Sequence, residues 1–113
     1  PGRVGDSAVP GAGIYCDARH GGAACTGRGE TTMRLSGAKM VVDALASGTS
    51  PSDACRAMLA EAATLPDEFA SDVRTLCLTP DGRHGGAALR PGATYAVMEG
   101  DAEAATLVEA VVA

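Results

Sequence analysis

Residues 25–30 read Cys-Thr-Gly-Arg-Gly-Glu, and this run decides where a strand gives way to a helix. Small and apolar residues precede Thr26 and are typical of a short strand over 22–26. The glycines at 27 and 29 interrupt strand geometry, because glycine favours turns over extended chain. We therefore predict that a helix begins near residue 30 or 31.

On the amino-terminal side of this run, the pattern predicts a loop followed by a β-hairpin. Residues 1–11 are rich in glycine and proline and show no apolar period, which indicates an ordered loop. Residues 12–17 read as a strand, and Ala-Arg-His-Gly at 18–21 forms the turn to the strand over 22–26.

On the carboxy-terminal side, two helical segments come first. Apolar residues recur at helical spacing over 35–46, and Gly48 closes that segment. Ser50 followed by Pro51 and Asp53 predicts a second start, with a capping hydroxyl and proline at the first helical position. This helix is expected to end at the Leu-Pro-Asp run that starts at residue 65.

The tail is predicted to return to strands, at 73–78, 85–89 and 93–98, separated by Pro-Asp-Gly and Pro-Gly turns. Residues 101–112 have apolar residues at helical spacing, so we predict a last helix, although the valines there would also suit a strand. Helices inserted between groups of antiparallel strands indicate an α+β fold, with an antiparallel sheet and helices packed on one face.

Length and charge exclude several classes of function. The 113 residues form one predicted domain, 1–113, near the lower size limit for a self-sufficient core. The core would contain mainly alanine and aliphatic residues, so we expect a partner to cover part of its apolar surface. A net charge of −5 with dispersed basic residues argues against nucleic-acid binding. No stretch approaches the ~20 apolar residues of a membrane span.

The four cysteines give no metal-binding pattern, since no two stand at C-x-x-C spacing and no histidine follows at zinc-finger spacing. We predict buried free thiols, with a disulfide between Cys16 and Cys25 as the alternative. Free thiols favour a cytoplasmic location.

Two pairs of residues could perform chemistry on an amino-acid-shaped ligand. Arg3 can hold a carboxylate by two parallel hydrogen bonds, and Asp6 can pair with an ammonium. Alternatively, both only stabilise the loop. The Thr26 hydroxyl and the Gly27 amide could donate to one oxyanion, although a helix cap with a tight turn explains them equally well.

The motifs at 1–7 (Pro-Gly-Arg-Val-Gly-Asp-Ser), 10–15 (Pro-Gly-Ala-Gly-Ile-Tyr) and 26–30 (Thr-Gly-Arg-Gly-Glu) resemble, in order and spacing, those of a known family. It comprises the plant-type asparaginases, isoaspartyl peptidases and glycosylasparaginases. The resemblance implies an N-terminal-nucleophile hydrolase, whose precursor cleaves itself into two subunits. It also implies that this chain forms half of a four-layer αββα sandwich.

By the same resemblance, Arg3 would bind the substrate's α-carboxylate and Asp6 its α-ammonium, while Thr26 and Gly27 would stabilise the oxyanion. The nucleophile would be the amino-terminal threonine of the second subunit, with its own amine as the base. That threonine precedes the first motif in the family. Since this chain starts at Pro1, we expect a processed or truncated β-subunit portion without the threonine segment.

The resulting hypothesis is an amidohydrolase subunit that cleaves L-asparagine, β-aspartyl peptides or glycosylated asparagine. The alternative is an inactive relative or fragment that binds a small amino acid or a subunit. The resemblance further implies an α subunit from the same precursor, a dimer of heterodimers, and a small-molecule or dipeptide substrate. We predict no cofactor and no metal ligands in this chain. We expect Arg3 and Asp6 to share one cavity with Thr26 and Gly27.

Overall fold

The computed structural model describes residues 1–113 and contains three helices and seven strands. In chain order these are β1 (Ile14–Asp17), β2 (Gly21–Gly27), α1 (Gly29–Leu35), α2 (Gly37–Ala46), α3 (Pro51–Thr64), β3 (Val73–Leu78), β4 (His84–Ala88), β5 (Thr94–Val97), β6 (Thr106–Glu109) and β7 (Val111–Val112). None of the helices combines the length and apolar character needed to cross a membrane.

Five strands form the main sheet, in the order β1-β2-β3-β4-β7. Neighbours from β1 to β4 run antiparallel, and β7 adds in parallel to β4 at the edge. Strands β5 and β6 form a separate antiparallel pair. The predicted α+β class, a mainly antiparallel sheet with helices packed on it, is therefore confirmed.

The core lies between this sheet and helices α2 and α3. Side chains along β3 alternate between buried and exposed, as the two-residue period of a strand requires. Its inward residues meet apolar residues of the two helices, and the largest fully buried side chains there include Met58, Leu59, Val41 and Val42. One face of the sheet is thus covered by helices.

The opposite face of the sheet carries apolar side chains without a covering layer. Ile14 is 52% exposed, Leu76 is 43% exposed and Leu78 is 53% exposed. A sheet with helices on one face and an apolar surface on the other is what half of an αββα sandwich presents.

Helices α1 and α2 are separated by Ser36, which adopts a left-handed conformation with φ of 53°. The first amides of α2 find partners in the amino-terminal loop: Ala38 N–H donates to the Ala12 carbonyl at 2.9 Å, and Lys39 N–H donates to the Gly11 carbonyl at 2.8 Å. These bonds satisfy amides that a helix start otherwise leaves unpaired. The loop and α2 are therefore joined through their backbones.

The start of α3 differs in one detail from the prediction. Pro51 occupies the first position as expected, but the Ser50 hydroxyl does not cap the helix. Instead, Ser50 Oγ donates to Asp53 Oδ2 at 2.8 Å, so the hydroxyl is already engaged by the acidic residue of the first turn. The end of the helix, with Leu65 as its carboxy-terminal cap residue, agrees with the prediction.

The predicted helix over 101–112 is wrong, because this segment forms β6 and β7. Residues of β6 pair antiparallel with β5, from Thr94 opposite Glu109 to Val97 opposite Thr106. The two valines of β7 then complete the edge of the main sheet beside β4. Pairing with two existing strands thus overrides a helical spacing that β-branched residues do not favour.

The alternative of a disulfide between Cys16 and Cys25 is also wrong, and all four cysteines are free thiols. In the register of the hairpin, Cys16 lies opposite Gly22, so its side chain shares the open face of the sheet. Cys25 alternates with Ala24 and lies on the helix-covered face. The two side chains therefore point to opposite sides. Cys16 is exposed and the other three thiols are buried, so the expected burial holds for three of four.

Candidate functional site

Asp6 lies in the amino-terminal loop, and its buried carboxylate packs against the start of helix α1. Asp6 is only 6% exposed, and Thr32 Oγ1 donates a hydrogen bond to Asp6 Oδ2 at 2.5 Å. A Cβ atom on Gly29 would lie 2.9 Å from Asp6 Oδ1. The first residue of α1 must therefore be glycine for the carboxylate to reach the helix.

No cationic side chain of this chain pairs with Asp6, and its Oδ1 accepts no hydrogen bond from the protein. Because no fully buried side-chain oxygen lacks a partner, Oδ1 keeps some contact with solvent. One oxygen is fixed by Thr32 and the other is available, which is an arrangement that can accept an ammonium group.

Arg3 is held at the surface by Glu30. Its Nη1 donates to Glu30 Oε1 at 3.0 Å and its Nη2 donates to Oε2 at 3.3 Å, with the Arg3 side chain 64% exposed. This hydrogen bonding raises the pKa of Arg3 and lowers the pKa of Glu30. The two-pronged geometry predicted for a ligand carboxylate is thus present, with the carboxylate of Glu30 in that position.

Glu30 is shared with a second arginine, which ties the helix start to the α3–β3 connection. Arg28 Nη1 lies 3.2 Å from Glu30 Oε2. Arg28 also donates through Nε to Asp67 Oδ2 at 2.8 Å, and this bond lowers the pKa of Asp67. Two arginines and two carboxylates therefore form one chain of ion pairs around the first turn of α1.

Thr26 and Gly27 end strand β2, just before this turn. Thr26 is exposed, and its side chain takes part in no hydrogen bond. It lines a cavity of about 220 Å³ together with residues of β3 and the β5–β6 pair, among them Tyr95. The Thr26 hydroxyl is therefore free to donate to a ligand.

Position 27 requires glycine for two reasons. Its φ is 107°, a conformation that side chains rarely adopt. In addition, a Cβ atom there would collide with the carbonyl oxygen of Asp72, the residue before β3. The glycine thus allows β2 to approach the residue before β3 while the chain turns into α1.

The four predicted site residues converge on the start of α1 without forming one cavity within this chain. Arg3 contacts Glu30 and Asp6 contacts Gly29 and Thr32, all within the first turns of the helix that follows Gly27. No hydrogen bond or ion pair joins Arg3 or Asp6 to the Thr-Gly pair, and the cavity beside Thr26 contains neither. The shared cavity stays a prediction.

Glu30 and Thr32 also hold the site together, and neither was predicted from the sequence to do so. Glu30 is part of the motif at 26–30, and its charge is opposite in sign to that of Arg3, which could have indicated an ion pair between them. Thr32 gave no signal, because a threonine in a helix is usually unremarkable until a buried carboxylate is found beside it. No cluster of three or more potential metal ligands occurs.

Comparison with known proteins identifies the family of this chain. The model of a family described as Asparaginase matches residues 1–108. N(4)-(β-N-acetylglucosaminyl)-L-asparaginase of Rattus norvegicus is 37% identical over 90 residues, which cover 80% of this chain and 26% of that protein. Its counterpart in Mus musculus is 37% identical over 87 residues, which cover 77% of this chain and 25% of that protein.

An L-asparaginase-like protein of Drosophila persimilis is 54% identical over 59 residues, or 52% of this chain and 13% of that protein. The chain thus spans about a quarter or less of the length of these relatives. The family match nevertheless extends over nearly the whole chain, from the loop that carries Arg3 and Asp6 into strand β6. This chain belongs to the asparaginase family.

Proposed function

We propose that this chain is part of an amidohydrolase that cleaves the side-chain amide of L-asparagine, of β-aspartyl peptides or of glycosylated asparagine. All three substrates contain the same aspartyl unit, with an α-ammonium, an α-carboxylate and a scissile side-chain carbonyl. The names of the relatives support amide hydrolysis of this kind.

The observation that carries the proposal is the unpaired, buried carboxylate of Asp6. The residue is only 6% exposed, yet no cation of this chain pairs with it and its Oδ1 has no donor within the protein. A substrate ammonium next to Oδ1 would supply the missing charge. Thr32 would fix the orientation of the carboxylate through its hydrogen bond to Oδ2.

In this proposal Arg3 binds the α-carboxylate. Glu30 uses two of the five N–H donors of the guanidinium and sets its plane, so that the remaining donors face the ligand. Glu30 is the main cause of the raised pKa of Arg3, and the charge of Asp6 adds a smaller contribution in the same direction. The two opposite charges of an amino acid would therefore meet two opposite charges of the loop.

Thr26 and Gly27 would stabilise the negative charge that develops on the scissile carbonyl oxygen. Removing one such donor costs about 2.7–4 kcal/mol of transition-state stabilisation in enzymes that use this device. The nucleophile in the proposal is an amino-terminal threonine outside these 113 residues. The α subunit would supply the remaining layers of the sandwich and cover the apolar face at Leu76 and Leu78, and two such heterodimers would assemble.

The test is hydrolysis of asparagine, an isoaspartyl dipeptide and a glycosylated asparagine by the full-length protein. Replacing Asp6→Asn should lower kcat/KM by roughly 100-fold or more, because a buried charge pair with the substrate is lost. Asparagine can still accept the hydrogen bond from Thr32, so the thermal midpoint should change little.

Asp101→Asn is the matched control, since Asp101 lies on an exposed turn, and it should leave hydrolysis unchanged. Binding of aspartate without turnover of any of the three substrates would favour the alternative, a module that only binds small amino acids. Equal activity of the Asp6→Asn variant and the wild type would contradict the proposed role of Asp6.

A further inference from the structure

Arg74 is the one charged residue that lines the cavity beside Thr26, and the proposed chemistry does not use it. It lies on β3 directly opposite Thr26 of β2 in the register of the sheet. Residues opposite each other in an antiparallel pair point to the same face, with Cβ atoms about 4.5–5.5 Å apart. The Arg74 side chain therefore leaves the sheet beside the proposed oxyanion donor.

A single carboxylate fixes the Arg74 side chain and leaves most of its donors free. Arg74 Nε donates to Asp72 Oδ2 at 2.6 Å, and Asp72 Oδ1 accepts the backbone N–H of Arg90 at 3.1 Å. Neither Nη nitrogen of Arg74 has an acceptor within the chain, and the side chain is 53% exposed. The donors of both Nη groups thus remain available to a ligand.

The rest of the cavity is mostly apolar, and no acidic residue lines it. Its walls include Leu76, Ala87, Ala93, Ala110 and Tyr95. A guanidinium at such a wall favours a ligand with an anionic group, and a planar carboxylate can accept two parallel hydrogen bonds from it.

We propose that Arg74 is a specificity residue that binds a carboxylate on the leaving group of the substrate. The inference rests on the proposed function, because Thr26 locates the scissile carbonyl oxygen only in that proposal. In a β-aspartyl dipeptide, only the amide nitrogen and the α-carbon separate the carboxylate of the departing amino acid from the scissile carbonyl carbon. The ammonia released from asparagine and the sugar amine released from glycosylated asparagine carry no such group.

Arg3 and Arg74 then bind the two carboxylates of such a dipeptide separately. Arg3 binds the α-carboxylate of the aspartyl unit, and Arg74 binds the carboxylate of the departing amino acid. The two guanidinium groups are held by different acidic residues, Glu30 and Asp72. A β-aspartyl dipeptide with a free carboxyl terminus is thus the preferred one of the three substrate classes.

The experiment measures kcat/KM of the full-length protein for β-aspartyl-alanine, for the same dipeptide with an amidated carboxyl terminus, for L-asparagine and for glycosylated asparagine. We expect the wild type to prefer the free acid over the amide by about tenfold or more, which is the effect of a hydrogen bond to a charged group. Arg74→Gln should lower kcat/KM for the free acid by a similar factor and leave the values for the other three substrates unchanged.

Arg83→Gln is the matched control. Like Arg74, Arg83 donates through Nε to an acidic residue two positions earlier, Asp81, at 3.1 Å, but it lies outside the cavity. This variant loses the same kind of surface ion pair and should hydrolyse all four substrates as the wild type does. Both glutamine variants should keep the thermal midpoint of the wild type. Arg74→Lys retains the charge without the two-pronged geometry and should keep part of the preference.

The four substrates separate the failure of this inference from the failure of the proposed function. Equal kcat/KM of the wild type for the free acid and the amide would overturn the role of Arg74 alone. So would an Arg74→Gln variant that is unchanged on the free acid or equally impaired on all four substrates. No hydrolysis of any substrate by the wild type would overturn the proposed function, and the role of Arg74 with it.

Discussion

Glu30 accepts hydrogen bonds from both terminal nitrogens of Arg3, so a residue in the first turn of α1 sets the plane of a guanidinium 27 positions earlier in the chain. Arg3 sits on a loop with no regular structure, where a long side chain would otherwise sample many rotamers. The relationship makes Glu30 a positioning residue for the proposed carboxylate site.

Replacing Glu30→Gln in the full-length protein should raise KM by roughly two- to fivefold with little change in kcat, since the pair is solvent-exposed and only one acceptor is kept. Glu103→Gln, an exposed control, should have no effect. A lower KM in the Glu30→Gln variant would show instead that Glu30 competes with substrate.

The same pair predicts a pH dependence. The hydrogen bond from Arg3 lowers the pKa of Glu30. The ion pair is therefore intact at neutral pH, and it breaks as the pH falls through that lowered pKa and Glu30 is protonated. We expect the KM of the wild type to rise towards low pH more steeply than the KM of the Glu30→Gln variant. Parallel profiles for the two proteins would argue against the positioning role.

Arg3→Lys should lower kcat/KM by at least about tenfold, because an ammonium cannot donate two parallel hydrogen bonds to a carboxylate. The charge is kept, so the loss would measure geometry rather than electrostatics. Steady-state hydrolysis by the full-length protein is the measurement. Near-normal kcat/KM would contradict the assignment of Arg3 to the substrate carboxylate.

Gly27→Ala should destabilise the protein by at least about 3 kcal/mol, which exceeds most single substitutions. The alanine would be strained at a φ of 107° and its Cβ would collide with the Asp72 carbonyl. Gly48→Ala is the matched control, since its φ is 88° but no atom lies within 4 Å of the added Cβ. That variant should cost only about 1–2 kcal/mol of left-handed strain. Denaturant unfolding of both variants is the measurement. Similar losses in the free energy of unfolding would contradict the steric explanation.

Cys25 should be unreactive towards iodoacetamide at neutral pH, because burial raises the pKa of its thiol to about 11. The thiolate fraction, and with it the rate, should increase only as the pH approaches that value. The exposed Cys16 provides the comparison in the same sample and should be alkylated first. Equal labelling of Cys16 and Cys25 at neutral pH would contradict the burial of Cys25.

Local patterns were sufficient where an element's own residues determine its structure. Pro51 starts α3 as its position predicted, and β3 has the bounds of the strand predicted over 73–78. The break at Ser36 could not be predicted in this way. It depends on the carbonyls of Gly11 and Ala12, which reach the start of α2 only in the folded protein.

The carboxy-terminal segment shows the same limit more strongly. Leu107, Val108 and Val111 fit a helical spacing, and they are equally compatible with strands. In the folded protein this segment pairs with β4 and β5 and is therefore extended. Strand formation depends on partners that the local sequence does not contain.

The site was predicted unevenly for a comparable reason. The motif around Asp6 predicted that its carboxylate binds a ligand. Nothing in the local sequence indicated that Asp6 would be buried beneath the first turn of α1. Burial arises from a contact with Gly29, and the role of Glu30 arises from its distance to Arg3. Both are properties of the folded loop rather than of either segment alone.

The backbone bonds from α2 to the amino-terminal loop give that loop an internal reporter. Amide hydrogens at Ala38 and Lys39 are protected from solvent exchange only while the carbonyls of Ala12 and Gly11 remain in place. A ligand that orders the loop through Asp6 would therefore slow deuterium uptake at two helix amides that it never touches.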